Sequence, residues 1–90
     1  MNLNRTLYTI GKQIFIKYYH SFKNPNYTSA DSLNIIKEDY TNKSKYSRFN
    51  HARMIFNKNL NIEALNNIIT SRLPIDTITK AKELLKQELI

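Results

Sequence analysis

Six side chains between Asn42 and Leu65 have the chemistry to hold a polyanion: Lys43, Lys45, Arg48, His51, Arg53 and Lys58. No carboxylate occurs from Asn42 to Ile62, so none of the six meets a neutralising neighbour along the chain. Lys and Arg reach phosphate oxygens, and Arg and Asn can also pair with base edges through two parallel hydrogen bonds. At about 100° per residue, Phe49, Ala52 and Phe56 gather on one side of a helix. Ser47, Asn50, His51, Met54 and Lys58 then face outward, with Arg48 and Arg53 flanking them. About five phosphate contacts from such a face predict a log–log salt slope of roughly −4 to −5 on duplex DNA. Lys12 and Lys17 would add long-range field.

Other chemistries have less to work with. Arg48 and His51 stand close enough in sequence to face one phosphate as a nuclease pair. Their spacing is shorter than the Arg-to-His motif of the helical RNases called HEPN domains, and no membership of that family is claimed. General acid–base work needs a water-excluding cleft, which a chain this small rarely encloses. No enzymatic activity is expected. His20 and His51 are the only histidines and there is no cysteine, so no metal site and no cofactor are expected either.

The string Tyr46-Ser47-Arg48-Phe49-Asn50 is similar to the start of the recognition helix in many bacterial repressors. That resemblance implies a helix-turn-helix unit with residues 44–57 as the helix that enters the major groove. Where such motifs carry glycine and then an aliphatic residue in the turn, this chain has Tyr40 and Thr41. Duplex DNA therefore ranks ahead of RNA as the nucleic acid.

A protein partner is the rival expectation. Tyr8, Tyr19, Tyr27, Tyr40 and Tyr46 are more tyrosines than a few short helices easily bury, and Tyr and Arg are enriched in interface hot spots. Tyr46, Arg48 and Met54 would form that contact, with Ile16 as a further exposed apolar anchor. An adaptor, an inhibitor or a subunit of a larger nucleoprotein assembly would fit.

These residues need a scaffold, and composition limits which one. One glycine and two prolines in 90 residues are too few for an all-β chain. The reading is all-α: a single domain over residues 1–90, built as a compact bundle of about five short helices packed orthogonally. The helices are placed at 6–22, 29–40, 44–57, 62–70 and 75–89. In the first, Leu7, Ile10, Gly11, Ile14, Phe15, Tyr18 and Phe22 share a face, and Gly11 is expected to admit a close helix neighbour. Asn61 is expected to cap the fourth helix, with Leu60 and Leu65 spaced as a hydrophobic staple. Ile75, Ile78, Ala81, Leu85 and Leu89 form the inner stripe of the fifth.

The formal charge of +7 is unevenly spread. Residues 1–30 carry four cations and no acid, residues 42–62 five and none, and residues 63–90 balance at four each. The acidic stretch is Asp31, Glu38 and Asp39, which could dock on the basic blocks. No run approaches the roughly 20 apolar residues of a membrane span, and no secretory leader is visible, so a cytoplasmic location is expected.

Overall fold

The computed structural model describes residues 1–90 and is all-helical, without a strand. Helices α1 (Leu3–Ile10), α2 (Lys12–Lys17) and α3 (Tyr19–Lys23) follow in close succession. A 3-10 turn (Ser29–Asp31) leads into the single turn α4 (Ser32–Ile35). Three longer helices complete the chain: α5 (Asn42–Asn57), α6 (Asn61–Ile69) and α7 (Ile75–Glu88). Helix α1 packs chiefly on α5, and α6 chiefly on α7.

The first expected helix is three. Gly11 takes φ +88°, a backbone region costly for any residue with a Cβ, and ends α1 there. It breaks the helix and also leaves room for α5, since a Cβ at Gly11 would lie 3.1 Å from Arg48 Nη1. A second break at Tyr18 re-aims the chain into α3. These two corners bury Ile16 to 2% exposure, because α2 packs on α7. The expectation that Ile16 projects into solvent assumed one straight helix and fails for that reason.

The second expected helix is also shorter. Thr28 and Asp31 form a reciprocal capping box, but regular helix stops at Ile35, and Ile36 adopts extended backbone. Residues 36–41 then cross to α5, so the connection is longer than the one read from sequence. Thr41 caps α5, its hydroxyl accepting from the Ser44 N–H at 3.1 Å. Asn59 ends α5 at φ +56°, with Leu60 N–H bonded to Ile55 C=O and Asn59 N–H to Phe56 C=O. This is the Schellman pattern, with asparagine in the left-handed position.

Asn61 does not cap α6. Leu60 occupies the cap position without a side-chain bond, and the Asn61 amide instead donates to Tyr19 Oη at 3.1 Å and Glu88 Oε2 at 2.6 Å. Tyr19 Oη also bonds Glu88 Oε2 at 2.8 Å, and Lys23 Nζ reaches Glu88 Oε1 at 2.6 Å. One carboxylate thus ties α3, α6 and α7 together. The same end of the molecule holds the aromatic core. Phe15 lies 5.5 Å from Tyr19, 5.8 Å from Phe56 and 6.4 Å from Phe22 between ring centroids, and Phe22 meets Phe49 at 5.8 Å. Each ring so buried contributes on the order of 1.5–3 kcal/mol. In α7 the buried residues are Ile78, Ala81 and Leu84, whereas Ile75 and Leu89 are exposed at 73% and 68%. The stripe read from sequence therefore holds only in its middle.

Candidate nucleic-acid interface

Helix α5 carries five of the six predicted contacts, with Lys58 at its C-cap, and the structure divides them. Ile55 is fully buried along with Phe49 and Ala52, while Phe56 is only half-buried. The inward face is therefore rotated toward Ile55 relative to the Phe49–Ala52–Phe56 stripe. Arg48 sits next to Ile55 on the helical wheel, seven residues or almost two full turns away, so this rotation carries it inward.

There its Nε and Nη1 are engaged within the protein. Arg48 Nη1 donates to the Ile10 carbonyl at 2.6 Å and Nε to Ser44 Oγ at 3.0 Å, and the guanidinium lies 3.8 Å from the Tyr40 ring centroid. The end of a helix leaves carbonyl oxygens without helical partners. Arg48 supplies one for α1 from another helix. Arg53 does comparable work on a loop. Its Nη2 donates to Asn24 C=O at 2.9 Å and Tyr27 C=O at 2.8 Å, and its guanidinium lies over Phe49 at 4.9 Å. The placement of both arginines on an exposed flank is corrected: each is half-buried and holds backbone.

The remaining predicted contacts fall into two groups. Lys43 and Lys58 are exposed, as are Asn50, Met54 and Asn57, which lie along the same ridge. Lys45 is half-buried, with Nζ 3.4 Å from Leu33 C=O. His51 is also half-buried, and its Nδ1 lies 2.7 Å from Ser47 C=O, which makes Nδ1 the protonated nitrogen. No hydrogen bond joins His51 to Arg48, whose Nε and Nη1 are bonded to Ser44 and Ile10. Tyr46 is half-buried and Met54 is 41% exposed. The ridge from Lys43 to Lys58 contains no acid and spans about 22 Å at the helical rise.

Two ion pairs form, Lys17–Glu38 at 2.8 Å and Lys23–Glu88 at 2.6 Å, so most cations remain outside ion pairs. Glu38 also accepts from Tyr18 Oη at 2.6 Å; of the three acids in its stretch it alone pairs with a cation, while Asp31 bonds Thr28. Partial burial acts to raise the Glu38 pKa, but the bonds from Lys17 and Tyr18 outweigh it and hold the carboxyl below its usual value. Lys17 is correspondingly raised, chiefly by its hydrogen bond to Glu38.

Two clefts meet at Gln13 and Ile14 of α2. One, of about 410 Å³, sets Lys17 and Lys80 against Glu38 and Asp76 and is balanced in charge. The other, of about 340 Å³, is lined by Tyr8, Lys12, Gln13, Tyr40, Arg48 and Leu73 among others and by no carboxylate. Lys12 Nζ spans from α2 to Ser71 Oγ at 2.7 Å, and Tyr8 is 86% exposed. Sequence reading counted Tyr8 only as a surplus tyrosine and Lys12 only as distant field. A usable signal was present: Tyr8 falls off the Leu7–Ile10–Ile14 stripe, three residues before the one glycine.

No helix is long and apolar enough to cross a membrane. Comparison with protein-family models, curated proteins and solved structures finds no match to this chain.

Proposed function

We propose that this chain is a non-enzymatic nucleic-acid-binding protein that presents the outer ridge of α5 to phosphates. The observation that carries the proposal is the exposed, acid-free line of Lys43, Asn50 and Lys58 along the longest helix and its C-cap. Its length of about 22 Å corresponds to roughly two-thirds of a duplex turn, enough to meet several phosphates along one groove edge. A helix-turn-helix mode, with α4 crossing the backbone and α5 in the groove, is the narrower form of the same proposal. The absence of cysteine suits a reducing, cytoplasmic setting.

With Arg48 and Arg53 engaged internally, Lys43, Lys45 and Lys58 remain as phosphate ligands on α5. About three contacts give a log–log salt slope near −2.7 on duplex DNA, shallower than the slope expected from five. Fluorescence anisotropy of a labelled duplex across a salt series tests this. A flat response overturns the proposal.

A protein partner is the second reading, favoured by Met54 on the same ridge and by the exposure of Tyr8 and Ile75. Size-exclusion chromatography with light scattering, with and without a short duplex, separates the two. A stable homodimer that ignores duplex supports the adaptor reading; a monomer that shifts with duplex supports nucleic-acid binding.

A further inference from the structure

We propose that the acid-free cleft between α1, α2 and the start of α5 is a subsite for one unstacked nucleotide. Its phosphate would lie against Arg48 and Lys12, and its base on the ring of Tyr8. The inference rests on the nucleic-acid-binding reading and names a second, distinct element of it.

Four observations converge on this cleft. Arg48 is fixed through Nε, Nη1 and the face of Tyr40, while Nη2 has no partner in the protein and is not sealed from solvent. A guanidinium held in this way is preoriented, so little side-chain freedom is lost when it meets an anion. Lys12 is likewise tethered through one proton to Ser71 Oγ, leaving two ammonium protons for a ligand. Tyr8 offers a ring that is 86% exposed, whereas tyrosines ordinarily bury the ring and wet only the hydroxyl. Finally, no carboxylate lines the cleft, in contrast to its neighbour across Gln13 and Ile14, where Glu38 and Asp76 answer the cations.

Two cations beside an open aromatic face match an anion that carries an aromatic group. Base stacking on a side chain requires a base whose face is free, which duplex DNA does not offer along its length. The volume of about 340 Å³ suits a single nucleotide, being near the lower end of ligand pockets. The ligand is therefore a nucleotide, either within a single strand or free.

The chain contains no tryptophan, so Tyr8→Trp places one reporter at the cleft. Short oligothymidylate, thymidine monophosphate and a blunt duplex are titrated against this variant and against the parent chain. The expected result is quenching of the introduced indole by oligothymidylate. Tyr8→Ala should weaken single-strand binding roughly tenfold and leave duplex binding unchanged. Lys12→Gln, which keeps a polar end for Ser71, should lessen the single-strand salt slope by about 0.7. Quenching by monophosphate at comparable concentration assigns the cleft to free nucleotide; quenching by the oligomer alone assigns it to a strand. Both support the subsite. If labelled oligothymidylate binds by anisotropy with no indole quenching and no loss in Tyr8→Ala, the subsite is overturned while the α5 proposal stands. If neither duplex nor single strand binds, both fall. Melting curves of the Tyr8 and Lys12 variants confirm that each is folded.

Discussion

Arg48 caps a helix to which it does not belong: its Nη1 lies 2.6 Å from the carbonyl oxygen of Ile10, the last residue of α1. The same guanidinium bonds Ser44 and covers Tyr40, so one side chain fixes α1, the 36–41 connection and the first turns of α5. Arg48→Ala should cost about 1.5–3 kcal/mol, the range for hydrogen bonds from a charged donor. Arg48→Lys should recover less than half of that, because an ammonium cannot serve two acceptors at fork geometry while stacking on a ring. Thermal or urea denaturation reads both effects. A neutral Arg48→Ala would mean that the cap contributes nothing.

Gly11 is coupled to this contact. A Cβ built there would meet Arg48 Nη1 at 3.1 Å, in addition to the strain of φ +88°. Gly11→Ala should destabilise by about 1–3 kcal/mol. In the Arg48→Ala background the steric part is gone and only the backbone part remains. A double-mutant cycle should therefore give a combined loss smaller than the sum of the single losses. Simple additivity would place the whole cost of Gly11→Ala in the backbone.

The difference between Arg48 as a ligand and Arg48 as a cap marks where sequence reading reaches its limit in this chain. Helix α5, its outward Asn50, Met54 and Lys58, and the helices α6 and α7 follow from apolar periodicity, because that signal is local, whereas the expected cap at Asn61 fails. The breaks at Gly11 and Tyr18 were missed because the apolar spacing of Leu7, Ile10, Ile14, Phe15 and Phe22 continues across both. The contacts that go with the bent path, α2 on α7 and Tyr19 of α3 with Asn61 and Glu88, are long-range. Arg48 and Arg53 were misplaced for a related reason. Their acceptors, Ile10, Asn24 and Tyr27, lie far away in sequence, and a backbone carbonyl leaves no trace in residue identity.

Arg53 gives a test confined to one loop. Its bonds to Asn24 and Tyr27 hold the turn between α3 and the 3-10 segment. Arg53→Ala should speed amide exchange of the residues that follow Pro25 while leaving α6 and α7 protected. Hydrogen-exchange mass spectrometry resolves the two regions. Uniform deprotection would show that Arg53 supports the whole core and not the turn alone.

Glu88 sets the acid limit of the fold. Burial alone would raise its pKa, but hydrogen bonds from Lys23, Tyr19 and Asn61 and the charge of Lys23 outweigh that and hold it below the ordinary carboxylate value of 4.5. A carboxyl depressed in the folded state contributes stability above its unfolded pKa and loses it as pH falls through the folded one. Stability should thus drop from about pH 5 downward. Glu88→Gln should start less stable at neutral pH and show a shallower fall, as measured by urea midpoints between pH 7 and pH 3. Tyr19 gives the opposite sign. Burial raises its phenol pKa, so stability should be lost once unfolded tyrosine ionises near pH 10, and Tyr19→Phe should flatten that alkaline limb. An acid limb unchanged by Glu88→Gln would shift the effect to Glu38, the other depressed carboxyl.

The α5 ridge makes its own prediction, independent of the cap. Lys43 and Lys58 are exposed at opposite ends of the helix, and neither is in an ion pair. Replacing both with Gln removes charge without touching the core, so the melting temperature should move by no more than about 2 °C. Duplex binding should respond quite differently. Two lost phosphate contacts lessen the log–log salt slope by roughly 1.8 units. Because counterion release scales with salt, the loss of affinity should be largest in dilute buffer and fade as salt rises. Loss of stability and loss of duplex binding are thereby assigned to different residues of α5 and its C-cap: Arg48 for the first, Lys43 and Lys58 for the second. If the Lys43→Gln/Lys58→Gln chain kept the parent slope, the phosphates would be met elsewhere on the molecule, and the acid-free cleft at Lys12 and Arg48 would be the next surface to test.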